Sequence, residues 1–203
     1  MKAMKMKLFA AAVVSGAALL AMPGMASAEQ TSVTGAGALS TNARQDFTVI
    51  IPRFLQFRVG AAAGAISIVT CDMTAFSAVL GNSVAQACTD GNLGGGQSTV
   101  SVRSNGGPVG ITVSTLGTLL SGANTMPYSE IITTSSDPAN LPAPILPSGG
   151  TSGSVAVVAT AGPVTDRTAT YTYTYANTGF YAAGTYGGVN VQNGRATYTA
   201  NMP

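Results

Sequence analysis

Few side chains in this sequence could do acid–base or nucleophilic chemistry. The chain contains no histidine, and its only lysines are Lys2, Lys5 and Lys7. A serine nucleophile beyond the first residues therefore lacks its usual histidine base, and no lysine is available there as a base or for a Schiff base. These absences predict a protein that is not an enzyme and that holds no cofactor.

The remaining groups for acid–base work are seven carboxylates, most of them isolated in polar or glycine-rich sequence. Asp72 and Asp90 lie beside the two cysteines and could approach each other, and glycoside hydrolysis needs two carboxylates about 5 to 9.5 Å apart. Aspartate also favours turns, where it hydrogen bonds to its own backbone. We therefore expect both to be turn residues.

The two cysteines, Cys71 and Cys88, are expected to form one disulfide if the chain reaches an oxidising compartment. The alternative is a metal site. Two thiols with no histidine and no acid cluster do not fill a tetrahedral shell, so we expect no metal.

A tyrosine row is the sequence feature that most suggests ligand binding. Residues 168–175 read TATYTYTY, and in a strand the tyrosines would share one face and the threonines the other. An exposed tyrosine row could stack on sugar rings, and an exposed threonine row could order water as in ice-binding proteins. The third interpretation is that the tyrosines pack against a second sheet. The candidate ligand-binding aromatics are Tyr171, Tyr173, Tyr175 and Tyr181.

The N-terminus has the pattern of a secretory signal peptide. Three lysines precede an apolar run over residues 8–21, and Pro23 and Gly24 lead to Ala26-Ser27-Ala28. The run is shorter than the ~20 residues that span a bilayer, so we expect cleavage after Ala28 rather than an anchor. The expected location is the periplasm, the cell surface or the extracellular space, with no integral membrane span in the mature chain.

Charge is scarce in this chain. Charged residues make up 8 % of it, far below the ~25 % of typical soluble domains. Without the three lysines of the predicted signal peptide, the chain has six scattered arginines and seven acidic residues. This balance predicts no basic surface for nucleic-acid binding. A surface of Thr, Ser, Asn and Gly leaves little electrostatic protection against self-association.

Alternating apolar residues predict strands along most of the chain. The strongest segment, residues 46–59 (DFTVIIPRFLQFRV), is expected to form two strand halves joined by a bend at Pro52. Asn193-Gly194 predicts a two-residue hairpin that pairs the last two strands. The other strand predictions are 66–70, 98–103, 111–115, 128–134, 155–160, 169–176, 188–191 and 195–200.

Two stretches do not fit this strand pattern. Residues 73–87, between the cysteines, have apolar residues near helical spacing around Gly81-Asn82, so any helix there is expected to be short. Residues 135–154 are rich in Pro, Gly and Ser and could be a linker. We expect a long surface loop within a single domain over residues 29–203.

The C-terminal residues carry a resemblance to a known group. Residues 184–191, GTYGGVNV, followed by 195–200, RATYTA, are similar to the closing hairpin of bacterial secreted immunoglobulin-like proteins of the fimbrial-subunit and spore-coat-U type. The resemblance implies a non-catalytic subunit of an appendage, coat or matrix that adds strands at an exposed edge. Residues 30–41 hold only Val33 and Leu39 as large apolar residues, so this stretch is not expected to donate a strand.

The sequence as a whole predicts an all-β protein, an antiparallel immunoglobulin-like β-sandwich of eight or nine strands. The expected function is a structural or assembly protein whose partners are copies of itself or other surface subunits, joined by strand pairing. The alternative is a secreted carbohydrate-binding module. The candidate assembly edge consists of Arg195, Thr197, Tyr198 and Thr199.

Overall fold

A computed structural model of the chain describes residues 30–61, 64, 66–74 and 80–203. The leader and its cleavage site lie outside the described residues, as does most of the first half of the expected helix. The chain divides into two units, residues 1–50 and residues 51–203. In the first unit, residues 30–50 are exposed and contain no helix or strand.

The second unit is all-β, which confirms the predicted fold class. Its only helical element in the described residues is one 3-10 turn, Tyr128–Glu130. The strands are β1 Leu55–Val59, β2 Val69–Thr70, β3 Gln86–Ala87, β4 Thr89–Asp90, β5 Gln97–Ser104, β6 Val109–Thr115, β7 Leu119–Ser121, β8 Asn124–Met126, β9 Ile131–Ser135, β10 Gly150–Thr151, β11 Val155–Val157, β12 Thr165–Tyr175 and β13 Ala196–Asn201.

Two antiparallel sheets carry the structure. In the five-stranded sheet, β5 lies between β1 and β12, while β3 and β9 pair with the C-terminal half of β12. In the four-stranded sheet, β6 is central, with β13 on one side and the short strands β10 and β11 on the other. Two small ribbons, β2–β4 and β7–β8, complete the pairing.

In the described residues, the larger of two buried apolar clusters lies between the two sheets. Alternate residues of the long strands point inward, as Val100 and Val102 do on β5 and Val109 and Ile111 do on β6, and all four are buried. Because side chains alternate between the faces of a strand, the other positions of β5 and β12 are mostly polar. The five-stranded sheet therefore has a buried apolar face and a polar outer face.

Several strand predictions differ from the structure. Residues 46–51 form no strand and are exposed, so only the second half of the strongest apolar segment, β1, enters a sheet. The expected final hairpin is also wrong, because residues 188–191 are not a strand and β13 pairs with β6 instead. Positive φ angles at Asn190, Gln192 and Asn193 interrupt an extended backbone there.

Segment 187–192 runs beside β7 rather than β13. Gly187 N–H donates to Leu120 O at 3.0 Å, and Leu120 N–H donates to Gln192 O at 3.0 Å. The alternation of apolar and polar residues does not predict this path, because the path depends on positive φ angles at Gly187, Asn190 and Gln192, which alternation does not encode.

The proline-rich stretch 135–154 is a loop that contributes to the core. Leu141 is fully buried and Leu146 nearly so. Ser135 Oγ donates to Leu141 O at 2.6 Å, which fixes the start of the loop. The described end of the expected helix, residues 80–87, is a turn followed by β3, so no helix forms there.

Candidate functional site

The tyrosine row lies in the core and not on the surface. Tyr171 is 0 % exposed, and Tyr173 and Tyr175 are also buried. The Tyr171 hydroxyl donates to Pro142 O at 2.7 Å, and the hydroxyls of Tyr173 and Tyr198 lie 3.1 Å apart across the two sheets. These rings cannot stack on a sugar, since their faces are covered by protein.

Tyr181, the fourth candidate aromatic, is half-buried, and its hydroxyl is hydrogen-bonded. It donates to Glu130 Oε1 at 3.0 Å, and its ring meets that of Tyr186 edge-on, with centroids 6.2 Å apart. Burial, together with the neighbouring Glu130 carboxylate, raises the pKa of Tyr181 to about 12. Tyr181 is therefore a protonated hydrogen-bond donor near neutral pH.

Glu130 holds the loop that contains Tyr181. Glu130 as a whole is 2 % exposed. Its carboxylate accepts hydrogen bonds from Thr178 N–H at 3.0 Å, Gly179 N–H at 2.9 Å, the Thr178 hydroxyl and the Tyr181 hydroxyl. Burial alone would raise the pKa of Glu130, but these hydrogen bonds favour the charged form and lower the pKa below its usual value. Nothing in the local sequence around Glu130 indicates this role, because its four donors come from residues 178–181.

Asp72 and Asp90 are both exposed, and Asp90 is the last residue of β4. Asp72 Oδ1 accepts from the hydroxyl and the N–H of Thr74 at 2.7 and 2.8 Å, and these bonds lower the pKa of Asp72. Asp90 has a positive φ of 58° and is followed by Gly91, which also has a positive φ. Both residues have the geometry of turn residues. Among the described residues, no group of three or more Cys, Asp or Glu could hold a metal ion.

Cys71 and Cys88 form a disulfide, as predicted, with Cα atoms 4.1 Å apart. The bridge continues the ladder of β2 and β4, in which Thr70 pairs with Thr89. Cys88 is buried in the main core, whereas β2 and β4 have only two residues each. The bridge therefore fastens a small ribbon to the five-stranded sheet.

Replacing both cysteines with serine is expected to lower the free energy of unfolding by about 3 kcal/mol, because the bridge closes a loop between residues 17 apart. Urea unfolding followed by tyrosine fluorescence would measure this loss. The unchanged protein in reducing agent should show the same loss, and a loss below about 1 kcal/mol in both samples would contradict the prediction.

The candidate assembly edge is the outer side of β13. All six residues of β13 pair with β6, and in the described chain no other strand pairs with β13. Arg195 precedes the strand, and Thr197 and Thr199 are exposed while Tyr198 points toward the core. One row of backbone N–H and C=O groups on β13 therefore has no strand beside it.

β1 is the edge strand of the other sheet and lies close to β13. We call the boundary between these two strands the open seam. Apolar side chains from both strands face the core there but are only partly buried. They are Leu55, Phe57 and Val59 of β1 and Ala196, Tyr198 and Ala200 of β13. The core is thus incompletely covered along the seam.

A second feature is a short run of exposed apolar residues that we call the apolar segment, residues 47–51. Four of its five side chains are large and apolar, namely Phe47 at 86 %, Val49 at 80 %, Ile50 at 88 % and Ile51 at 75 % exposure. The segment pairs with no strand in the described residues. Pro52 follows it and cannot donate to a ladder.

Neither protein-family models, nor curated proteins, nor solved structures match this chain. No helix in the described residues has the length and hydropathy needed to cross a membrane.

Proposed function

We propose that this chain is an exported, non-catalytic structural subunit that assembles by strand pairing, with an immunoglobulin-like fold of the fimbrial-subunit or spore-coat-U type. The contact is made by the apolar segment of one copy with the open seam of the next. The observation that carries the proposal is that one chain contains both an unpaired edge beside a partly covered core and an exposed apolar segment that pairs with no strand in the described residues.

The two surfaces match in length and pattern. β13 has six residues, and residues 46–51 form a stretch of the same length before Pro52. In an extended conformation Phe47, Val49 and Ile51 point to one face. That face would cover the half-buried apolar residues of the seam, while the backbone would satisfy the free edge of β13.

The energetics favour this contact over solvent exposure. Fully burying a large aliphatic or aromatic side chain contributes about 1.5 to 3 kcal/mol, and three such side chains leave water when the segment pairs. An unpaired edge strand is itself a template for another chain. Few charged residues are present to oppose the approach of two copies, since they form only 8 % of the sequence.

The test compares two triple variants in the full chain under oxidising conditions. Phe47→Ser/Val49→Ser/Ile51→Ser removes the inward face of the apolar segment. Leu116→Ser/Ile145→Ser/Phe180→Ser removes three apolar side chains that are equally exposed, at 82 to 84 %, but lie elsewhere. Light scattering and negative-stain imaging should show concentration-dependent assemblies for the unchanged protein and for the second variant.

The segment variant should associate at least about 100-fold more weakly, because the loss of two or three buried apolar side chains exceeds the ~2.8 kcal/mol of that factor. A synthetic peptide of residues 45–52 should bind the segment variant, and a peptide with the same three serines should not. A monodisperse unchanged protein at all concentrations, or equal assembly of both triple variants, would overturn the proposal.

A further inference from the structure

The outer face of the five-stranded sheet contains a polar groove of about 310 Å³, lined by Gln56, Arg58, Ser101, Arg103, Asp166 and Thr168. Strand register places these side chains in two rows across β1, β5 and β12. One row is Arg58, Ser101 and Thr168, and the other is Gln56, Arg103 and Asp166. We propose that this groove binds an acidic sugar of a polysaccharide, with the sugar carboxylate on Arg58.

Arg58 differs from the other arginines in its lack of a partner. Each of the other five has a hydrogen bond or an ion pair within the protein. Within the described part of the chain Arg58 has neither, and its Nε is shielded from solvent without an acceptor. Its other guanidinium nitrogens have no acceptor within the described residues either, and only Nε is shielded from solvent, so these nitrogens remain open to the groove. A carboxylate bound to them would form charge-assisted hydrogen bonds.

The net charge of the groove favours a ligand group with a single negative charge. Arg103 Nη2 lies 3.2 Å from Asp166 Oδ2, and both side chains are more than half exposed. The charges of Arg103 and Asp166 neutralise each other, so the positive charge of Arg58 is the one left for the ligand. A polyphosphate chain needs several uncompensated cations along its path, whereas a uronate-type sugar has one carboxylate per ring.

The other groove residues fit the hydroxyls of such a sugar. Gln56, Ser101 and Thr168 can donate and accept hydrogen bonds, and Asp166 can accept from a sugar hydroxyl. An acidic peptide would offer few hydroxyl donors, and its second carboxylate would approach Asp166 with a like charge. None of the six lining residues is aromatic, so recognition here uses hydrogen bonds rather than ring stacking.

This inference does not depend on the assembly proposal. The side chains involved point to the outer face of the sheet, whereas assembly uses the apolar side chains and the strand edge at the open seam. Binding and assembly can therefore be measured separately on the same variants, by calorimetry and by light scattering.

The test is titration calorimetry of the full chain at low salt with trigalacturonate, its methyl ester and an acidic hexapeptide. Trigalacturonate should bind, and the ester should bind at least 10-fold more weakly because it lacks the carboxylate. Arg58→Gln should weaken trigalacturonate binding at least 10-fold, and Arg58→Lys should recover only part of the affinity.

Arg44→Gln is the matched control, because it removes an arginine that is exposed and far along the chain from the groove residues. It should bind trigalacturonate as the unchanged protein does, and thermal melts should show that all three variants fold. The proposal would be overturned if trigalacturonate and its ester bound equally, or if trigalacturonate did not bind at millimolar concentration. It would also be overturned if Arg58→Gln and Arg44→Gln lost the same affinity, or if the peptide bound more tightly than trigalacturonate.

Discussion

Replacing Tyr171 with alanine is expected to lower the free energy of unfolding by about 4 kcal/mol, as for other large aromatic residues in cores. Tyr171 is fully buried in the core that both sheets share. Its ring centroid lies 6.3 Å from that of Tyr198 on β13, so it joins the five-stranded sheet to the four-stranded one. Alanine would leave a cavity where the two sheets meet.

The control for this prediction is Tyr171→Phe, which keeps the ring and removes only the hydroxyl. The Pro142 carbonyl then loses its 2.7 Å donor, and the expected loss is about 1 to 2 kcal/mol. Urea unfolding monitored by near-ultraviolet circular dichroism gives both values. If alanine and phenylalanine cost the same, the ring does not carry the packing described here.

Replacing Glu130 with alanine is expected to lower the free energy of unfolding by about 3 kcal/mol at neutral pH. The reason is that removing one partner of a buried charged network leaves the other partners unpaired. The four donors around the carboxylate come from Thr178, Gly179 and Tyr181. Without the acceptor, the loop that follows β12 loses its four hydrogen bonds to the Glu130 side chain and keeps the backbone bond from Ala176 N–H to Glu130 O.

This loss should depend on pH in a defined direction. The folded protein lowers the pKa of Glu130 below its usual 4.5, so the carboxylate stabilises the fold above that pH. The contribution disappears as the pH falls through the lowered pKa of the folded state. The difference between Glu130→Ala and the unchanged protein should therefore be constant near neutral pH and shrink below about pH 4.

Asp90→Asn is the matched control for charge, since Asp90 is exposed at the end of β4 with a left-handed backbone that asparagine also adopts. It should change stability by less than about 0.5 kcal/mol, as surface substitutions usually do. A Glu130→Ala loss that stays the same at pH 3 and pH 7 would contradict the electrostatic explanation.

The sequence predicted the parts of the fold that depend on local alternation. β5, β6 and β12 each alternate between more buried and more exposed positions over seven or more residues, with apolar side chains at the central buried positions, and a period-two pattern favours a strand. The disulfide followed from the presence of only two cysteines. The final strand, predicted at residues 195–200, is β13, although its neighbour β6 was not predicted.

The features that the sequence missed depend on distant parts of the chain. Residues 46–51 look like a core strand because the same alternation suits a strand that pairs within its own chain and one that is left unpaired. Arg58 and Asp166 lie far apart in sequence, so their common groove appears only once β1 and β12 flank β5. The carboxylate of Glu130 likewise gains its donors from residues 178–181.

The order in which the strands are connected also has a kinetic consequence. β6 follows β5 directly in the chain, but its partner β13 comes much later, with Ser114 and Thr197 separated by 83 positions. Pairings between residues so distant in sequence slow folding to milliseconds or longer, because a long loop must close first. During that interval β6 lacks its longest neighbour, so we expect low temperature or dilution during refolding to reduce misassembly between chains.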